Sequence, residues 1–198
     1  MRVIIIGDSH TRVMASYIER ISNQCQFYTV SVSSDTPSII AAYHANLPAI
    51  VTFQPEICIL HTGHNQISFH KFRNPKPIVS STVAADTIAF ANTIRQNHPN
   101  IRIILSSVFP RTYTEQSNLN KTSVLAYNKV AKRHGQRIAT LAGRNHYEFT
   151  HNMPMWKKIC IQLEDSSLFL RDGLHLNPAG NRAIAINWLT AINSRPQV

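Results

Sequence analysis

Residues 1–10 read MRVIIIGDSH, and their interpretation decides the fold. Val3, Ile4, Ile5 and Ile6 form an unbroken apolar run, too uniformly apolar for a strand with one wet face. Such a run predicts a strand buried on both sides, as in a parallel sheet covered by helices. It stops at Gly7, Asp8, Ser9 and His10, a small residue followed by three chemically capable ones. In open parallel sheets ligands bind outside the carboxyl ends of the strands, which is where these residues fall. A helix follows, because Met14, Tyr17, Ile18 and Ile21 share one face. Ser9 at its start suits an N-cap. It equally suits a reactive hydroxyl, set where backbone donors and the helix dipole favour negative charge. The stretch alone leaves both readings open.

The same grammar recurs along the chain. Short β-branched or apolar runs at 27–32, 57–60 and 101–105 read as strands, and a shorter one at 147–149 supplies a fifth. Between them lie helical stripes: Ala84, Ile88, Ala91 and Ile94, then Val124, Tyr127, Ala131, His134, Ile138 and Leu141. A last helix opens near Pro178, suited to a first turn, and buries Ile184, Trp188 and Ile192. Strands alternating with helices predict right-handed βαβ units, hence an α/β fold with a parallel sheet of about five strands. No linker or repeat divides residues 1–198, so one domain is expected. Residues 153–170 mix breakers with apolar pairs and are assigned to no element.

Composition narrows the class. The 198 residues are 43% hydrophobic and 15% charged, as in a globular protein, and no segment is apolar enough for a membrane span. The N-terminal run is too short for a signal-peptide core, so an intracellular, cytoplasmic protein is expected. Cys25, Cys58 and Cys160 have no paired spacing, which argues against a disulfide framework or a cysteine zinc site. Twenty Lys and Arg against ten Asp and Glu give a formal charge of +10. The excess is lopsided: residues 1–100 hold seven basic and five acidic side chains, and 101–198 hold thirteen and five. Such asymmetry accompanies binding to nucleic acid, anionic lipid or acidic substrates, and also plain solubility.

Two further stretches bear on the opening one. In RDGLHLNPAGNRA, residues 171–183, Asp172 and His175 stand just before the last helix. A serine hydroxyl is a weak nucleophile until a base takes its proton, and an imidazole does so best when a carboxylate fixes its tautomer. In LHTGHNQ, residues 60–66, Gly63 and Asn65 follow a strand, and an Asn amide can donate to an oxygen that becomes negative. There is no G-x-S-x-G, which disfavours the α/β-hydrolase elbow.

Taken together, GDS at 7–9, GHN at 63–65 and DGLH at 172–175 resemble, in order and approximate spacing, three blocks of the SGNH hydrolase family, the GDSL-type esterases and lipases. The resemblance implies a three-layer α/β/α, flavodoxin-like fold and hydrolysis of a small carboxylic ester, acetyl or short acyl, through an acyl-enzyme. It implies Ser9 as nucleophile, His175 as general base and Asp172 as its orienting partner. The oxyanion hole would comprise the N–H of Ser9, the amide of Asn65 and a donor from the family's second block. That block contributes a glycine, and the matching stretch VSSDTPS puts Ser34 there. The block around Asn65 usually continues with aspartate, where this chain has Gln66. A small ester, an acylated glycan or a lipid would be the substrate, without metal or organic cofactor.

Asp8, His10, Gly63 and His64 flank these positions and are candidates for lining the substrate. His61, His64 and His70 cluster around the GHN loop, but zinc wants a carboxylate or further ligands, and the sequence offers none nearby. His134, inside an apolar stripe, reads as a satisfied core histidine. Lys129, Lys132, Arg133 and Arg137 project from the same helix as a basic face. Similar esterase-like domains occur in the first open reading frame of some retrotransposons, so a nucleic-acid-associated module is the alternative. Against it, no basic motif interleaved with aromatics appears.

Overall fold

A computed structural model of the chain describes residues 1–67, 80–116, 120–152 and 167–194. Five parallel strands form one sheet: β1 (Arg2–Gly7), β2 (Gln26–Ser31), β3 (Ile57–His61), β4 (Arg102–Ser106) and β5 (Glu148–Thr150). Their order is β2-β1-β3-β4-β5. The helices are α1 (Ser9–Ile21), α2 (Thr36–Ala45), α3 (Leu47–Phe53), α4 (Ser80–Asn97), α5 (Lys121–Arg144) and α6 (Pro178–Asn193). All five expected strands form, shifted by at most one residue at either end. Residues 153–166 and His70 lie outside the described residues.

Alternation along β1 builds both halves of the core. Val3 and Ile5 pack with Met14 and Ile18 of α1 and with Ile184, Trp188 and Ile192 of α6. Ile4 and Ile6 face the other way, onto Ile39 and Tyr43 of α2, Ile88 and Ala91 of α4 and Ile138 of α5. Every residue of β3 is buried, so the sheet is enclosed on both faces, as its apolar runs predict. Arg102 ties one edge together: it pairs with Glu148 of β5 at 2.5 and 2.6 Å and donates to the carbonyls of Ala191 and Ile192 at 2.7 Å each.

The helices α2 and α3 are absent from the periodicity reading. Pro37 and Pro48 look like breakers, but each sits in the first turn of its helix, where the missing N–H has no intrahelical partner to lose. No helix among the described residues is long and apolar enough to cross a membrane.

The strand order creates a switch point. From β1 the chain moves outward to β2, then returns past β1 to β3 and continues the other way, so the connections after β1 and β3 leave toward opposite sides. Gly7–His10 and Gly63–Asn65 lie at the carboxyl ends of β1 and β3, at that point. Gly7 permits the close approach: a Cβ there would collide with the carbonyl of His61 on β3 and with Thr11 Oγ1.

Candidate active site

Ser9 is the first residue of α1, with Asp8 as N-cap: the Asp8 carboxylate accepts from the His10 N–H at 3.2 Å, and its carbonyl accepts from Thr11 N–H at 3.0 Å. Capping therefore falls to Asp8 rather than Ser9, which stands partly exposed, its hydroxyl without a hydrogen bond among the described residues. The carbonyl of Asp8 also accepts from Ser31 Oγ at 2.6 Å, which pins the turn to the end of β2.

Asp172 and His175 are built as a unit. One carboxylate oxygen of Asp172 accepts from the backbone N–H groups of Leu174 and His175, both at 2.9 Å. The other accepts from His175 Nδ1 at 2.6 Å. An ionised carboxylate only accepts, so the proton of neutral His175 sits on Nδ1 and the Nε2 lone pair is left for a proton. Burial alone would raise the Asp172 carboxyl, but the bonds from the His175 ring and from the two N–H groups hold it below the usual carboxylate range. Gly173 makes the turn possible: its φ is +68°, and a Cβ would collide with the Thr112 carbonyl. Its own carbonyl accepts from Thr112 N–H at 3.0 Å, so the loop after β4 carries the loop of the Asp–His pair.

His10 joins the two halves of the site. Its ring centroid lies 5.1 Å from that of His175 and 5.0 Å from that of His64, with Phe109 edge-on at 4.9 Å. No hydrogen bond links Ser9 Oγ to His175, a gap of the kind that catalytic pairs close when substrate binds.

Asn65 donates one amide N–H to the Ser34 carbonyl at 3.0 Å, which joins the loops after β2 and β3 and leaves its second N–H. The backbone N–H of Ser34 donates to Val32 O at 2.8 Å, so that donor is engaged within its own loop. Gln66 accepts from Thr36 Oγ1 at 2.8 Å and donates to Asp86 at 2.6 Å. An aspartate at 66 could not make that second bond without a proton.

Asp8 and His64 are 1% exposed and His10 is 5% exposed, and Gly63 is buried, which puts all four behind the site rather than in an open wall. Asp8, His61 and His64 carry ligand atoms within 4.8 Å of one another. The carboxylate that the sequence does not place near the GHN loop thus arrives from the end of β1. The hydrogen bonds nevertheless occupy the imidazole lone pairs. Ser106 Oγ accepts from Trp188 Nε1 at 2.9 Å and Asn152 Nδ2 at 3.1 Å, so its own proton goes to His61 Nδ1 at 3.1 Å. Neutral His61 then carries its proton on Nε2. His64 Nε2 accepts from Phe109 N–H at 3.2 Å, which leaves Nδ1–H to donate to Tyr127 Oη at 2.9 Å. With those lone pairs engaged, neither ring has one left for a metal, while Asp8 Oδ2 and His61 Nε2 have no hydrogen-bond partner among the described residues.

Burial pushes Asp8 up to about 7, opposed by the His10 N–H and the charge of Arg111. Burial likewise pushes His10 and His61 down to about 3, His134 down to about 4 and His64 well below the ordinary imidazole value. His134 is buried, as its stripe predicts, but among the described residues neither of its ring nitrogens has a hydrogen-bond partner, and the ring lies against Gly63, where a Cβ would come within 3.1 Å of it. Sequence reasoning also missed Arg111, buried, with its guanidinium 4.2 Å from the Tyr127 ring centroid. Its place just beyond the end of β4 was the available signal. A cavity of about 420 Å³ is lined by Thr114, Glu115, Gln116, Phe169 and Arg171, the last of these the chain neighbour of Asp172.

Neither a family model nor a curated protein matches the sequence. Solved structures do match the fold. A GDSL-like lipase from Bacteroides thetaiotaomicron superposes with TM-score 0.69 at 14% identity, over 96% of this chain and 87% of that one. An acetyl xylan esterase does so with TM-score 0.69 at 18% identity, over 97% and 100%. A catalytic mutant of an acetylxylan esterase from Geobacillus stearothermophilus does so with TM-score 0.70 at 14% identity, over 98% and 94%. The chain has the SGNH hydrolase fold, the three-layer architecture of GDSL-type lipases and acetylxylan esterases.

Proposed function

We propose that this protein is a serine esterase that removes a small acyl group, acetyl foremost, from a hydroxylated substrate. The observation that carries the reading is the Asp172–His175 pair, wired so that the imidazole offers Nε2 as a base beside the start of α1. His175 Nε2 takes the Ser9 hydroxyl proton as Oγ bonds to the acyl carbon, and the carbonyl electrons move onto oxygen. That oxyanion is met by the backbone N–H of Ser9 and the second amide N–H of Asn65. Ser34 joins them if its N–H leaves Val32. The tetrahedral adduct collapses, the alcohol leaves with the proton from His175, and water repeats the sequence to free the acid.

A small acyl group suits a site whose floor is closed by the buried Asp8, His10 and His64. The alcohol is assigned to the cavity of about 420 Å³, whose Glu115, Gln116 and Arg171 match a hydroxyl-rich partner such as a glycan better than a lipid chain. Two of the structures of like fold are named as acetylxylan esterases, which is in keeping with that choice. The test is hydrolysis of 4-nitrophenyl acetate by wild type and Ser9→Ala. The variant should lose at least a thousandfold in kcat while melting at the wild-type temperature. Undiminished turnover overturns the proposal.

A further inference from the structure

The bond from His175 to Asp172 fixes one atom of the imidazole and leaves the direction of the ring open. The carboxylate holds Nδ1 at 2.6 Å, but the His175 side chain is 49% exposed, so solvent covers much of the ring. The last torsion of a histidine is broad, and a ring held at one nitrogen can swing about that bond. Nε2 lies across the ring from Nδ1, so a swing displaces it, and a misplacement on the order of 1 Å at a reacting group costs about a hundredfold in rate. Aiming Nε2 therefore takes a second support. The ring packed against His175 is that of His10, its centroid 5.1 Å away and its plane tilted by 41°.

His10 is itself firmly held. It is the second residue of α1, its N–H is bonded to the Asp8 carboxylate at 3.2 Å, and the residue is 5% exposed. Behind its ring stand Phe109, edge-on at 4.9 Å, and His64 at 5.0 Å, and His64 is bonded in turn to Tyr127 Oη and to the Phe109 N–H. A stack anchored in α5 and in the loops after β3 and β4 thus ends on the His175 ring. Ser9 and His10 are chain neighbours, so one helical turn carries both the hydroxyl and the ring that bears on its base.

We propose that His10 is a positioning residue for the general base: its ring is the second support of the His175 imidazole and sets the direction in which Nε2 meets the Ser9 hydroxyl. The proposal rests on the reading of His175 as that base. Such support calls for a ring face and not for a titrating nitrogen. Burial first, then the charges of His175, His61 and Arg111, keep His10 neutral against the opposing charge of Asp172, so it does not take the serine proton in place of His175.

The experiment measures kcat and KM for 4-nitrophenyl acetate in wild type, His10→Ala, His10→Phe and Ser9→Ala, at a temperature where each is folded by circular dichroism. His10→Ala should lose roughly ten- to a hundredfold in kcat with KM within about twofold of wild type, because substrate still binds and only the base is misaimed. His10→Phe restores a ring face without nitrogens, and should recover kcat to within about fivefold and keep the shape of the wild-type pH–rate profile. Unchanged kcat in His10→Ala, a loss carried by KM instead, or a His10→Phe protein as slow as His10→Ala overturns the proposal, the last because a ring nitrogen would then be the acting group. Ser9→Ala separates the two readings: activity that survives it sinks the esterase, whereas activity lost there and intact in His10→Ala sinks this proposal alone. If a His10 variant does not fold, the native protein decides by NMR: ring protons of His10 and His175 should show a nuclear Overhauser contact, and its absence overturns the proposal.

Discussion

At the scale of single residues, the proposed chemistry depends on which ring nitrogen of His175 holds the proton. Asp172 decides that by using its two oxygens for different tasks, one for the turn and one for the imidazole. Asp172→Asn separates them. The asparagine oxygen can still accept from the Leu174 and His175 N–H groups, but its NH2 then faces Nδ1, which must become an acceptor. The proton moves to Nε2, and the base is blocked. Turnover of 4-nitrophenyl acetate should fall roughly 10³–10⁴-fold with the melting temperature unchanged. A loss below tenfold would show that Asp172 does not set the tautomer. These residues were legible in the sequence because each sits at a strand end or before a helix, where type and spacing are visible. His61, His64 and Gln66 were legible only as letters. Their partners, among them Ser106, Tyr127, Phe109, Thr36 and Asp86, come from other segments, and no local pattern records that meeting.

At the scale of elements, the site is a set of loops fastened to one another. The loop after β4 holds the Asp–His loop through Thr112 and Gly173, and Asn65 holds the loop after β2 through Ser34. Gly173→Ala places a methyl against the Thr112 carbonyl at a φ of +68°, a conformation that costs a non-glycine residue about 1–2 kcal/mol before any clash. The variant should melt roughly 5 °C or more below wild type and lose kcat, because residues 172 and 175 move together. Gly143→Ala is the control, since nothing lies within 4 Å of its added Cβ, and it should be neutral or slightly stabilising. A Gly173→Ala protein with wild-type melting and turnover would contradict the coupling. The strands β1, β3 and β4 were readable because enclosure on both faces leaves unbroken apolar runs, as a covered parallel sheet requires. The helices α2 and α3 were not, because their first-turn prolines resemble breaks.

At the scale of the whole molecule, the buried imidazoles make stability depend steeply on pH. His10, His61, His64 and His134 stay neutral in the fold well below the ordinary value of 6.5, which the unfolded chain regains. As pH falls through 6.5, the unfolded state takes up four protons that the native state refuses, so stability is lost downward from there. Asp8 works the other way, because its raised value lets the native state take up a proton first. Over these five groups the difference is about three protons, a slope near 4 kcal/mol per pH unit around pH 5 and about 5 kcal/mol lost between pH 7 and pH 5; burial lowers His98 and His151 as well, which adds to the loss. Calorimetry should show the melting temperature falling by roughly 10–20 °C over that interval. A constant melting temperature would mean that the imidazoles are already charged or accessible in the native protein.

The most direct measurement of an activated serine is covalent. Incubation of the native protein with a fluorophosphonate, followed by digestion and mass spectrometry, should place the phosphonyl group on Ser9 and on no other residue. Labelling should be lost in His175→Ala, which retains the hydroxyl and removes the base. An unlabelled native protein, a label on a different serine, or equal labelling without His175 would contradict the account.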